Sequence, residues 1–171
     1  GPYDAATQGC TALEASSDGV YISATGAPGV GEHTAVLDQN TIACITAGDG
    51  VETSHVKDVV LSRNTFRRNI TGARLTVSQY VTVTAGEMLF NDLGVRITGD
   101  WTNALATSST GNWIAGVRIF GSGAYNFDSG PKGGVLIESG APMNRITDAN
   151  AIAASHGFGI RIVDSDFNTV M

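Results

Sequence analysis

Three arginines, Arg74, Arg96 and Arg118, recur 22 residues apart with apolar or small neighbours on both sides: Ala73-Arg74-Leu75, Val95-Arg96-Ile97 and Val117-Arg118-Ile119. If that recurrence reflects stacked strands, which lie about 4.7–4.9 Å apart, the guanidiniums form a column of cations on a chain of net charge −6. A guanidinium matches carboxylate or phosphate as a two-pronged fork, so such a column suits an anionic polymer. The competing reading is a solvated strand face whose arginines pair with acids such as Glu52 and Glu138. Arg161 sits in the same setting, Gly159-Ile160-Arg161-Ile162, and belongs with the set.

Carboxylates near that face are Asp100, Asp128, Glu138, Asp164 and Asp166. Glycoside hydrolysis needs two carboxyls about 5–5.5 Å apart for retention or about 6.5–9.5 Å apart for inversion. Glu138 follows Gly134, and Asp164 and Asp166 follow Gly159 on the next repeat, which makes Glu138 with Asp164 or Asp166 the candidate catalytic pair. Asp164-Ser165-Asp166 reads equally well as corner chemistry, and Glu138 as a partner of Arg118 or Arg161. Trp101, directly after Asp100, offers the apolar face and polar edge that suit a sugar ring. Trp113 is expected to point outward, against a ligand or another subunit, while Phe66, Phe90 and Phe167 are expected in an interior stack. His33, His55 and His156 have no carboxylate or cysteine at ligand spacing, so no metal and no cofactor are expected. Gly121-Ser122-Gly123 is a turn, not a nucleophile elbow or a phosphate loop.

These residues are carried by a repeat. Gly94-Val95-Arg96-Ile97 returns as Gly116-Val117-Arg118-Ile119, Gly134-Val135-Leu136-Ile137 and Gly159-Ile160-Arg161-Ile162, with weaker copies upstream at Gly19, Gly50 and Ala73. Seven start points about 23 residues apart fall in the range of solenoids and arrays. Alternation over four residues is strand-like: Val and Ile face in, Arg faces out, and Gly permits the bend into the strand.

A second phrase, Ala35 to Ile42, Val59 to Phe66 and Val81 to Met88, keeps step with the first and implies a second stacked strand. Asn112-Trp113-Ile114 and Asn150-Ala151-Ile152 suggest a third. Asn103, Asn126, Asn144 and Asn168 follow their glycines as corner residues, tolerant of the left-handed region. They are able to bond to the Asn of the next repeat. Gly26 to Gly31 reads as a protruding loop. Residues 1–18 read as a lead-in or cap, with one short helical turn at Thr11 to Ala15, and residues 19–171 as the repeat domain.

Composition agrees with an all-β chain: 15% charged residues and 22 glycines in 171 residues. The acidic balance, with no basic run longer than Arg67-Arg68, argues against a nucleic-acid partner. No apolar run approaches the roughly 18 residues of a membrane span, and no signal-peptide layout opens the chain. The leading Gly-Pro reads as a processing scar. Cys10 and Cys44 are expected to be two buried thiols, with a disulfide between them as the alternative. Met171 stops in mid-repeat, which implies further chain or a partner subunit over the last turn.

The Gly-Val-Arg-Ile run, with corners such as Asn64-Thr65-Phe66 and Asn168-Thr169-Val170, resembles the right-handed parallel β-helix superfamily of pectate lyases, polygalacturonases and bacteriophage tailspikes. The likeness covers about residues 19–171 and implies a β-helix of about seven rungs. Polygalacturonase motifs are only approached, in Asn40-Thr41-Ile42, Gly48-Asp49-Gly50, Ser155-His156-Gly157 and Arg161-Ile162-Val163, which lack the carboxylates. Pectate lyases need clustered acids for calcium and an arginine base, and no such cluster is evident along the chain. Tailspikes are closest in character. That resemblance implies a homotrimer, at a virion tail or extracellular, which binds a bacterial polysaccharide, with cleavage as an option. The residues of this chain read for those roles are Glu138 and Asp164 or Asp166 for cleavage, and Arg74, Arg96, Arg118, Arg161, Asp100 and Trp101 for binding. The alternatives are a non-catalytic shaft and an enzyme with degenerate motifs.

Overall fold

A computed structural model describes residues 3–4, 9–10, 18–24, 34–100 and 108–171. Among them no α-helix occurs, and three parallel sheets stack coil upon coil into a right-handed parallel β-helix. Sheet 1 contains Val20–Ser23, Asp49–Ser54, Thr71–Thr76, Leu93–Thr98, Gly133–Glu138 and Phe158–Val163. Sheet 2 contains Ala35–Asp38, Val59–Ser62, Thr82–Thr84, Trp113–Ala115, Arg145–Thr147 and Thr169–Val170. Sheet 3 contains Thr41–Ala43, Thr65–Arg67, Glu87–Leu89, Arg118–Phe120 and Ala151–Ala153. Ahead of them Tyr3–Asp4 pairs antiparallel with Gly9–Cys10. The expected helical turn at 11–15, the loop at 26–31, Trp101 and Asn103 lie outside the described residues.

The alternation sorts side chains as expected. Interior columns run Val51, Ala73, Val95, Val135 on sheet 1, Leu61, Val83, Ile114, Ile146 on sheet 2 and Phe66, Met88, Ile119 on sheet 3, all at most 2% exposed. The last coil is open, with Ile162 and Val170 at 39% and 49% exposed.

Sheet 1 has six strands, not seven, because Gly116-Val117-Arg118-Ile119 is not one of its rungs. Arg118–Phe120 pairs with Glu87–Leu89 on sheet 3, and Leu93–Thr98 pairs directly with Gly133–Glu138. A four-residue alternation states which side chains face in but not which wall they stand on. The eight-residue second phrase likewise spans two strands and the corner between them, as in Ala35–Asp38 plus Thr41–Ala43. Asn112-Trp113-Ile114 and Asn150-Ala151-Ile152 lead into different sheets, 2 and 3.

The rung glycines are dictated by space. A Cβ on Gly50, Gly72, Gly94 or Gly134 would lie 2.7, 2.6, 2.5 and 2.3 Å from the carbonyl oxygen of the next rung glycine. It would also run into Phe66, Met88, Ile119 or Ile152 of sheet 3. Left-handed backbone is found instead at the corners, in Gln39, Arg63, Ala85 and Gly116 between sheets 2 and 3. Each of these donates its N–H to the coil that follows.

Asparagine stands beside those left-handed residues and stitches neighbouring coils together. Asn91 Oδ1 accepts from the Asn69 N–H at 2.9 Å while its Nδ2 donates to the Phe66 carbonyl at 3.0 Å. Asn69 does the same for Ile45 and Ile42, and Asn112, Asn144 and Asn168 form a second column. The amides therefore serve backbone groups, with one amide-to-amide contact, Asn40 to Asn64 at 3.2 Å. Of the expected corner set, Asn144 and Asn168 belong to this ladder, whereas Asn126 is a left-handed loop residue.

Cys44 is buried as expected, but it is disulfide-bonded, which corrects the expectation of free thiols. Two cysteines 34 positions apart carry no sequence sign of proximity, which only the coiling decides. Phe66 is interior, whereas Phe90 turns outward from a left-handed corner and Phe167 is 84% exposed.

The amide ladder predicts the effect of Asn91→Ala. The substitution leaves the Asn69 N–H and the Phe66 carbonyl unpaired in the interior, at about 1–3 kcal/mol each. Urea unfolding is expected to show a loss of about 3 kcal/mol. A loss too small to measure would mean that water replaces the amide.

Candidate functional site

The outward column of sheet 1 reads Tyr21, Glu52, Arg74, Arg96, Leu136 and Arg161. Arg74 and Arg96 are neighbours, as expected. Arg118 is on sheet 3 opposite Glu87, so the expected column of three cations is a pair. Arg161 is separated from that pair by Leu136, with its guanidinium 6.0 Å from the ring centre of Phe158.

Both arginines of the pair are already neutralised. Arg74 Nε lies 2.8 Å from Asp49 Oδ2, close enough for an ion pair but not aligned as a hydrogen bond. Arg96 Nε donates to Glu138 Oε1 at 2.7 Å. A ligand carboxylate would have to displace a protein carboxylate at each, with little net gain. Along this stripe Arg74 and Arg96 are each held in an ion pair with a carboxylate of a neighbouring coil.

Glu138 is thus tied to the coil before it, whereas Asp164 and Asp166 lie in an exposed turn on the coil after it. Their backbone carbonyls accept from Gly140 and Met143. No side-chain hydrogen bond or ion pair joins the three carboxylates. Asp100 is half-buried just past Leu93–Thr98. Trp113 points outward as expected, 40% exposed, and its indole N–H donates to Thr147 Oγ1 at 2.8 Å.

Coiling assembles one acidic group that the linear order conceals. One oxygen from each of Asp18, Asp49 and Glu52 lies within 4.8 Å of the others. The sign of it was present in the sequence, since Asp18-Gly19 and Asp49-Gly50 open successive coils and must stack. Asp18 Oδ1 accepts the Asp49 N–H at 2.8 Å, and Glu52 Oε1 accepts from Thr76 at 3.1 Å. Asp49 is 1% exposed and its Oδ1 has no donor. Burial pushes the Asp49 carboxyl up, against the pull of Arg74. Burial also pushes Glu52 up, opposed by Thr76 and Arg74 and reinforced by Asp18. Three hard oxygens at this spacing form a donor set of the kind that divalent cations use. Lyase chemistry would further require an arginine free to take a proton, and Arg74 is held against Asp49.

A second grouping lies where the chain departs from the coil. Residues 121–132 leave the coil after Arg118–Phe120 and return at Gly133–Glu138. Lys132 pins them, donating to Asp92 Oδ2 at 2.6 Å and Asp128 Oδ1 at 2.8 Å, and the Gly123 N–H donates to the Asn91 carbonyl at 2.7 Å. This loop lays Tyr125 against Phe90. Four rings follow one another, Phe120, Phe90, Tyr125 and Phe127, with centroids 5.7, 6.0 and 5.9 Å apart. Gly121 is required there, since a Cβ would lie 2.5 Å from the Phe90 ring. Three of the rings each carry a guanidinium: Arg118 over Phe120 at 5.4 Å, Arg67 over Phe90 at 5.3 Å and Arg68 over Tyr125 at 4.2 Å. Arg68 Nη2 also donates to the Tyr125 hydroxyl at 2.5 Å, and Tyr125 remains 46% exposed.

No family model, curated protein or solved structure matches this chain.

The raised carboxyls of Asp49 and Glu52 give a pH signature. Their contribution to stability is complete below their unfolded values, near 3.8 and 4.5, and is lost as pH rises through the folded values. Glu52→Gln keeps the acceptor for Thr76 and removes one charge. It is expected to raise Tm by about 2 °C at pH 8 and to leave Tm at pH 4 unchanged. An equal change at both pH values would show that charge is not the cause.

Proposed function

We propose that this chain is a polysaccharide-binding β-helix of the tailspike kind, acting in a homotrimer at a virion tail or in the extracellular space. The glycan, a bacterial surface polysaccharide, lies along the four-ring rail. The observation that carries this reading is the rail itself, four rings in contact across a pinned loop, the corner beneath it and the adjoining strand, with Tyr125 exposed and the other three half-buried. Aromatic faces give C–H surfaces of sugars apolar area, and the phenol of Tyr125 and the guanidiniums supply polar edges. The rail is rigidly based, because Lys132, Asp92 and Asn91 fix its loop to the coils. Binding therefore orders little that is not already ordered.

Cleavage is not part of the reading. Glu138 is committed to Arg96, and Asp164 follows Val163, the residue opposite Glu138 on the next coil. Asp49 is too deeply buried to reach a polymer.

A non-catalytic shaft is the second reading, favoured by the sheet 1 stripe, where arginines and acids satisfy one another along the coils. The two readings part on the rail. Tyr125→Ala is expected to weaken binding of a bacterial capsule or O-antigen polysaccharide about tenfold, in line with roughly 0.5–1.5 kcal/mol for a ring contact. Affinity electrophoresis reads the change, and an unaltered melting temperature shows that the fold is kept. Failure of the unmodified protein to bind any such polysaccharide would favour the shaft.

A further inference from the structure

Resting on the glycan-binding reading, we infer that the rail selects polysaccharides bearing carboxylate or phosphate groups, with Arg68 and Arg118 recognising the charge. The protein carries 16 acidic residues against 10 basic ones, a net charge of −6 that disfavours an anionic chain overall. The rail is the exception. Arg67, Arg68 and Arg118 gather there, and Glu87 pairs with Arg118.

How the arginines are held separates this surface from the stripe. Arg63, Arg74 and Arg96 each pair with a protein carboxylate, Asp38, Asp49 and Glu138. Arg68 is instead held by a ring face and a phenol, both neutral, and has no carboxylate partner among the described residues. Its guanidinium carbon lies 4.2 Å from the Tyr125 ring centre, Nε is buried and Nη2 donates to the phenol, which leaves the remaining Nη hydrogens for a carboxylate or phosphate to accept. Arg118 does pair with Glu87, at 3.1 Å, but their side chains are 54% and 42% exposed. An exposed pair of this kind is weak and readily exchanged for a ligand anion. The rings then provide affinity for the sugar faces and the arginines provide selectivity for charge.

The test compares alginate, a polyuronate, with the same polymer after carboxyl reduction, by affinity electrophoresis at low and high salt. Alginate is expected to bind the unmodified protein at least about tenfold more tightly, with the gap closing as salt screens the charges. Arg118→Gln, at an exposed position that leaves the fold intact, and Arg68→Gln should each narrow the gap by lowering affinity for alginate more than for the reduced polymer. Tyr125→Ala should weaken both. Equal binding of the two polymers, or an unchanged gap in both arginine variants, overturns the charge selectivity and leaves the glycan reading standing. Absence of binding to either polymer defeats the glycan reading as well. Tighter binding of single-stranded DNA than of alginate would assign the surface to nucleic acid and overturn the inference.

Discussion

In this fold the peptide groups of one coil are satisfied by the coil stacked on it. Corner N–H groups as well as strand N–H groups reach forward or back by one turn: Gln39 to Ser62, Arg63 to Thr84, Ala85 to Ala115. The constraint is severe, because buried peptide groups left unpaired are costly. It forces a fixed spacing on every column of side chains and leaves no room for a Cβ at the rung glycines. It also calls for amides such as Asn69 and Asn91 where the ladder between backbones is interrupted. The functional surfaces follow from it, since residues far apart in sequence become neighbours only through the register of the coils.

Much of the fold was legible because inward-outward alternation is written in the residues themselves, as in Val95, Arg96 and Ile97. Which wall a segment occupies was not. Gly116-Val117-Arg118-Ile119 copies a sheet 1 rung letter for letter, yet the longer excursion between Thr98 and Trp113 moves it to sheet 3. That single displacement removed Arg118 from the arginine column and set it beside Phe120. The acidic group of Asp18, Asp49 and Glu52 was half legible, through its repeated Asp-Gly pair. The aromatic rail was not, because Phe90 has the hydrophobicity of a core residue and only its left-handed corner turns it outward.

Charge is distributed according to the same geometry. On sheet 1 the two neighbouring arginines, Arg74 and Arg96, are each paired with an acid of the coil on their outer side, Asp49 and Glu138, which offsets their repulsion at the short repeat of the stack. At the loop of residues 121–132 Lys132 is still paired with Asp92 and Asp128, whereas Arg68 is held by the ring and hydroxyl of Tyr125 in place of a carboxylate. A surface that keeps its cations on neutral supports retains their capacity for an incoming anion. The distinction between the two surfaces lies less in which residues are present than in what holds them.

The register of Arg118 is the fact on which both surfaces depend, and paired cysteines test it directly. Paired parallel strands place Cα atoms about 4.8 Å apart, within the span of a disulfide. Oxidation of a Glu87→Cys, Arg118→Cys double variant is expected to yield the cross-linked peptide by mass spectrometry, and that of an Arg96→Cys, Arg118→Cys variant is expected not to. The reverse outcome, a bond between positions 96 and 118 and none between 87 and 118, would restore the three-arginine column and dismantle the rail.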